Sequence, residues 1–320
     1  MTIEPGNSTS APISTRGATP PAPPAPGRRI AVFYGATFVL THAVTTAYRL
    51  RGGSWHSLDT FLVANGIMLI PGLMALVFAR WIFDEPRAAT LGLRLRPNRW
   101  WLFAWLAPPV LMSLTLAVSL LVPRTTYNPT MNGLGARLGF SAADGARLAA
   151  NAKALHLPPL AGFLLQGLVL GPTLGAIGGL GEELAWRGLL HRAFIPWGFW
   201  RCTLVTGALW AAWHLPLTLQ GYGYPQHPLL GTAVFVVYAL AFAPLMTFTR
   251  IRARSVIAPA ILHGTADTTV LLTLALVSGG GDLTTGWGTL SSIAVLAVVD
   301  VAIAAMVRRD VRRDVRRDVA

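Results

Sequence analysis

Charge is scarce in this chain. Asp, Glu, Lys and Arg supply 12% of its 320 residues, about half the share usual in a soluble domain. Lysine is almost missing: of 26 basic residues, all but Lys153 are arginine. Cysteine is limited to Cys202, which excludes an internal disulfide and a zinc cluster built on cysteines. What fills the space is apolar. Hydrophobic residues make up 53% of the chain, and several runs reach the ~20 residues that cross a bilayer. In lipid a helix satisfies its own backbone polar groups, so the expected fold class is an all-α membrane protein. The net charge of +13 would suggest nucleic acid in a soluble protein. Here the arginines sit between apolar runs and at the C-terminus, where membrane topology accounts for them, so no nucleic-acid partner is expected. The bias toward Arg, Ala, Gly and Pro suggests a GC-rich bacterial genome, and with the apolar runs the expected location is the plasma membrane, multi-pass.

Residues 1–27 are rich in Pro, Ser, Thr, Gly and Ala. They are read as a disordered leader, without the apolar stretch of a signal peptide. Eight apolar stretches follow, at about 30–48, 58–80, 100–122, 159–180, 202–220, 228–249, 255–277 and 287–307. With the N-terminus in the cytosol and alternating sides, 20 of the 26 basic residues fall in cytosolic segments. The positive-inside rule then gives about eight transmembrane helices with both termini cytosolic. The membrane domain covers 28–307. A basic tail, 308–320, carries Val-Arg-Arg-Asp three times from Val307 to Asp318 and reads as the last helix extended over anionic lipid heads. One outer loop is long, about 123–157, and its second half, Ser141 to His156, has helical spacing suited to the membrane surface. The stretch from Pro159 to Arg192 would be about 51 Å as one helix, too long for a ~30 Å hydrocarbon core. Gly171-Pro172, Gly175, Gly178-Gly179 and Gly181 predict a kink or a loop there.

Ionisable residues inside apolar spans are costly and each needs an account. Glu182 and Glu183 point about 100° apart on a helix. Glu183 can pair with Arg187 one turn on, leaving Glu182 without a local partner and available as a general base. The bland alternative is a structural network at the membrane boundary. His214 lies mid-span, one turn after Trp210; a lone helical histidine is more often a satisfied core residue than a ligand. His263 and Asp267, also one turn apart, share a face, where the carboxylate orients the imidazole or both face one ion or water. Measured from the ends assigned to the cytosol, Glu182, His214, His263 and Asp267 lie roughly 15, 17, 12 and 18 Å deep. They form one layer, expected to be reachable from the cytosolic side and to share a water-accessible cavity. His214, His263 and Asp267 are candidate ligands for a divalent metal, zinc foremost; the same set can instead position a water. Of the other polar residues, Asp300 is expected to pair with a cytosolic arginine, His42 and Asn65 to hydrogen-bond between helices, and His191 to be interfacial.

Glu-Glu-x-x-x-Arg at 182–187, an aromatic-x-x-x-His at 210–214 and His-x-x-x-Asp at 263–267 resemble, in order and spacing, the CAAX-processing and bacteriocin-processing (CPBP, or Abi-type) membrane peptidases. The resemblance covers about 160–275; Trp210 stands where the family commonly has Phe, and Asp267 where it has Asn or Asp. It implies an intramembrane endopeptidase of the CAAX protease type, a hydrolase acting on a membrane-associated peptide or protein. It implies Glu182 as the catalytic glutamate that activates water and His214 as sharing that task. His263 and Asp267 would shape the oxyanion or metal side, with Glu183 and Arg187 in support. Family members cleave prenylated C-terminal tails or act in bacteriocin immunity and peptide processing. The alternative from another class is a non-proteolytic immunity protein or an ion- or proton-coupled transporter using the same buried Glu/His/Asp cluster.

Overall fold

The structure, a computed structural model, describes residues 27–154 and 156–319. The proline-rich leader lies outside the described residues except for Gly27, which opens the first helix. Eight long helices follow the eight apolar stretches: α1 Gly27–Leu50, α2 Asp59–Phe83, α3 Arg99–Ser119, α4 Pro159–Trp197, α5 Phe199–Thr218, α6 Pro228–Ala253, α7 Ile257–Ala275 and α8 Leu290–Val319. Seven are long and apolar enough to cross a membrane. The exception is α5. Its 20 residues give the length, about 30 Å, but Arg201, His214 and three tryptophans dilute it. The reason is its place. It packs along α6 and buries Cys202, Thr203, Thr206, Trp210 and Trp213, so its polar atoms meet protein rather than lipid. The protein is an all-α membrane protein with several spans.

α4 contains no loop. It runs through 39 residues and absorbs its glycines and proline by changing register. Gly171–Gly175 and Leu184–Leu190 are π-helical, with α-helix between them from Ala176 to Glu183. A π turn tolerates the missing N–H of Pro172. The glycines serve packing rather than breakage. A Cβ on Gly264 of α7 would collide with the backbone of Gly175, and a Cβ on Gly181 would lie 2.6 Å from the Met68 carbonyl oxygen of α2. Close approach of backbones is how small residues join helices in lipid. It draws α2, α4 and α7 together around the motif residues.

The helix ends fall on two sides. One holds the starts of α1, α3, α5 and α7 and the ends of α2, α4, α6 and α8. The other holds the loops 51–58, 120–158, 219–227 and 276–289. On that second side Thr126–Tyr127 (β1) pairs antiparallel with Val277–Ser278 (β2). Arg137 donates to the Thr285 carbonyl at 2.6 Å and the Gly279 carbonyl at 3.3 Å. The helix expected in the long loop forms as Ala142–Lys153, capped by Ser141, whose hydroxyl accepts from the Asp144 N–H at 3.1 Å.

Candidate functional site

Glu182 and Glu183 close the α-helical part of α4, just before the second π turn. Both are buried, at 1% and 0% exposure, so every oxygen needs a donor or a wet cavity. Their partners differ. Glu182 Oε2 accepts indole N–H bonds from Trp186 at 3.0 Å and Trp210 at 2.6 Å. Glu183 Oε1 accepts from Arg187 at 3.1 Å and from His263 Nδ1 at 2.9 Å. The helical pairing of Glu183 with Arg187 is therefore present, and Glu183 also holds a histidine 80 residues away.

The two histidines are fixed in the same sense. His214 Nδ1 lies 3.0 Å from the Trp210 carbonyl oxygen, which only accepts, so Nδ1 carries the hydrogen. His263 Nδ1 faces a carboxylate and donates likewise. In both rings Nε2 is left for other work. Asp267 Oδ2 lies 3.6 Å from His263 Nε2, an ion-pair distance rather than a hydrogen bond. Half of its side chain is open, at 46% exposure against 6% for His263.

These groups line one cavity of about 280 Å³. Glu182, Trp210, His214, His263 and Asp267 line it together, and Phe235, Tyr238 and Trp287 make much of the remainder aromatic. Tyr222, in the loop after α5, also faces the cavity. Burial, and then the Asp267 and Glu182 carboxylates, push its phenol above the usual range, so it keeps its proton and can donate. Arg187 lies under Trp210, with Cζ 5.6 Å from the ring centre, and its carbonyl accepts from Arg250 Nε at 2.9 Å. Among the described residues no group of three or more His, Cys, Asp or Glu side chains is arranged to hold a metal ion. His214, His263 and Asp267 share the cavity wall without forming such a group.

The sequence-derived layer is thus one place, but its opening is on the other side. All the loop residues that line the cavity, Trp55, Arg137 and Trp287 among them, come from the loops 51–58, 120–158, 219–227 and 276–289. The side first assigned to the cytosol is closed by Trp186, Arg187, Leu189 and Leu190, each at 0–1% exposure. Depth counted along a helix fixes a level, not the direction of access.

Three of the bland expectations change. Asp300 makes no ion pair among the described residues, since Arg308 is two turns away; Arg252 pairs with Asp310 instead, at 2.5 Å. Asn65 donates within its own helix to the Phe61 carbonyl at 2.7 Å, whereas His42 faces the Trp213 backbone of α5, between helices as expected. His191 is buried beside Cys202, with Nδ1 3.7 Å from Sγ, rather than interfacial. Sequence reasoning missed Trp186 and Trp210 as donors to Glu182. The first had a signal, its position one turn after Glu182; the second is 28 residues distant and had none.

Residues 163–269, about a third of the chain, match the family described as type II CAAX prenyl endopeptidase Rce1-like. The match starts within α4, ends within α7 and includes all three motifs, so the resemblance read from the motifs is borne out. No curated protein matches the chain.

Proposed function

We propose that this Rce1-like, multi-pass membrane protein is an endopeptidase that hydrolyses a peptide bond in a membrane-associated polypeptide with water activated by Glu182. The observation that carries the reading is the state of Glu182. Two indole N–H groups hold Oε2, the Arg187 and His263 hydrogen bonds go to Glu183, and Glu182 itself lines the cavity. A carboxylate oriented by neutral donors, with the nearby cationic side chain bound elsewhere, is poised to take a proton from water.

The roles follow from the donors. Glu182 removes the proton of the attacking water and returns it to the leaving amine. His214, its Nδ1–H held by a carbonyl, presents Nε2 to the same water. His263, held between the Glu183 and Asp267 carboxylates, acts as the doubly protonated imidazolium and donates from Nε2 toward the oxygen on which charge develops. Glu183 and Arg187 position His263 and Trp210. No step is routed through a metal, because the residues present do not assemble one. The aromatic lining suits a segment with a large apolar side chain beside the scissile bond.

Glu182→Gln keeps the shape and the acceptor oxygen but removes the base. Cleavage should fall by at least about 10²-fold while melting in detergent stays unchanged. The assay compares membrane proteomes from cells making the wild-type or the variant protein and seeks peptides cut only in the former. Wild-type-like cleavage by the variant would sink the mechanism. A transport role would instead show loss of function at Glu182 and His214 with no cut peptide in either sample.

A further inference from the structure

We infer that the site takes its substrate from the non-cytosolic face of the membrane. This rests on the peptidase reading for the word substrate, but the orientation of the cavity stands apart from it. Two observations meet. The first is charge. The helix ends and loops on the closed side, together with residues 1–29 and 308–320, hold 20 of the 26 basic residues, all of them arginine. Basic residues in short loops near span ends set the cytosolic side, and here every such loop on the closed side contributes. The second is the opening. The cavity is roofed only by loops of the opposite, arginine-poor side, including Trp55, Arg137, Tyr222 and Trp287. Beneath Glu182 the closed side is sealed by Trp186, Leu189 and Leu190.

The consequence concerns the class of substrate. A lipid-modified tail held in the cytosolic leaflet lies across the bilayer from this opening. The substrate that fits is a polypeptide segment exposed at the outer leaflet, from an exported or membrane-anchored protein, entering past the rim made by the 219–227 and 276–289 loops. Those loops are tied by Asp282, whose Oδ2 accepts from the Gln226 and His227 N–H groups at 2.7 and 3.1 Å. They thus form a fixed rim to the mouth.

The test uses the full chain in its own cell membrane. Gln226→Cys on the rim and Arg96→Cys on the opposite side, both exposed positions, are each made with Cys202→Ala. Intact cells are treated with a membrane-impermeant maleimide, before and after permeabilisation. The expected result is label on Gln226→Cys in intact cells and on Arg96→Cys only after permeabilisation. The reverse pattern, or equal labelling of both in intact cells, overturns the inference. A single-span reporter bearing a cleaved segment on one face or the other supplies the second arm. Cleavage restricted to the non-cytosolic version supports the inference, and cleavage restricted to the cytosolic version overturns it. Loss of both cleavages with rim labelling intact would condemn the peptidase reading and leave the orientation standing.

Discussion

Glu182 and Glu183 are neighbours in the chain with separate partners, because a helix turns them about 100° apart. Glu183 is the supporting carboxylate of the proposed mechanism. It joins Arg187 and His263 where neither carboxylate nor guanidinium meets water, at 0% and 1% exposure. Removing one member of a buried pair leaves an uncompensated charge, which costs about 3–5 kcal/mol. Arg187→Ala should therefore lower the melting temperature in detergent sharply, whereas Glu182→Gln should not; equal stability for the two would refute this division. In the proposed mechanism Trp210 acts through Glu182. Trp210→Phe keeps the packing and removes the 2.6 Å indole donor, so kcat should fall with little change in KM or melting. Trp186→Phe, which removes the 3.0 Å donor, should act in the same direction.

At the scale of elements, small residues decide how near the motif helices come. Gly264 follows His263 and packs on Gly175 so closely that any Cβ meets backbone. Backbone cannot swing aside as a side chain can, so Gly264→Ala should cost about 1–3 kcal/mol and displace His263 as well. Gly66→Ala in α2 is the control, because nothing lies within 4 Å of a Cβ there; it should be neutral or gain a few tenths of a kcal/mol from helix propensity. Comparable losses in both, read by melting and cleavage, would mean that the contact is not what the glycine serves. Of the kink or loop read from the run Gly171–Gly181 in the sequence, the loop is absent. Composition does not say whether a glycine frees the backbone or admits a neighbour. The outcome depended on α2 and α7, which the run Gly171–Gly181 does not contain.

The whole molecule supplies walls that the matched segment lacks. Thr41 of α1 accepts from the Trp213 indole at 2.9 Å, Tyr34 donates to the Leu209 carbonyl at 2.9 Å, and Trp55 donates to Gln220 at 2.9 Å. Residues 159–275 expressed alone should therefore fail to give a monodisperse, protease-resistant species in detergent. The full chain should give one, and equal resistance of the two would show that α1, α2 and the outer loops are dispensable.

The sequence by itself determined the class of protein, the stretches that became its long helices and the polar residues that share the cavity. Each of these is local: hydropathy acts over about 20 residues and helical pairing over four, as with Glu183 and Arg187. It also carried the arginine asymmetry from which the orientation is inferred. Only the tertiary structure decided that His263 bonds to Glu183, that two tryptophans hold Glu182, that α4 takes π turns in place of a loop, and that the cavity is roofed by the arginine-poor loops. Those outcomes depend on where distant helices leave space and where they fill it, and no periodicity within a single helix encodes that.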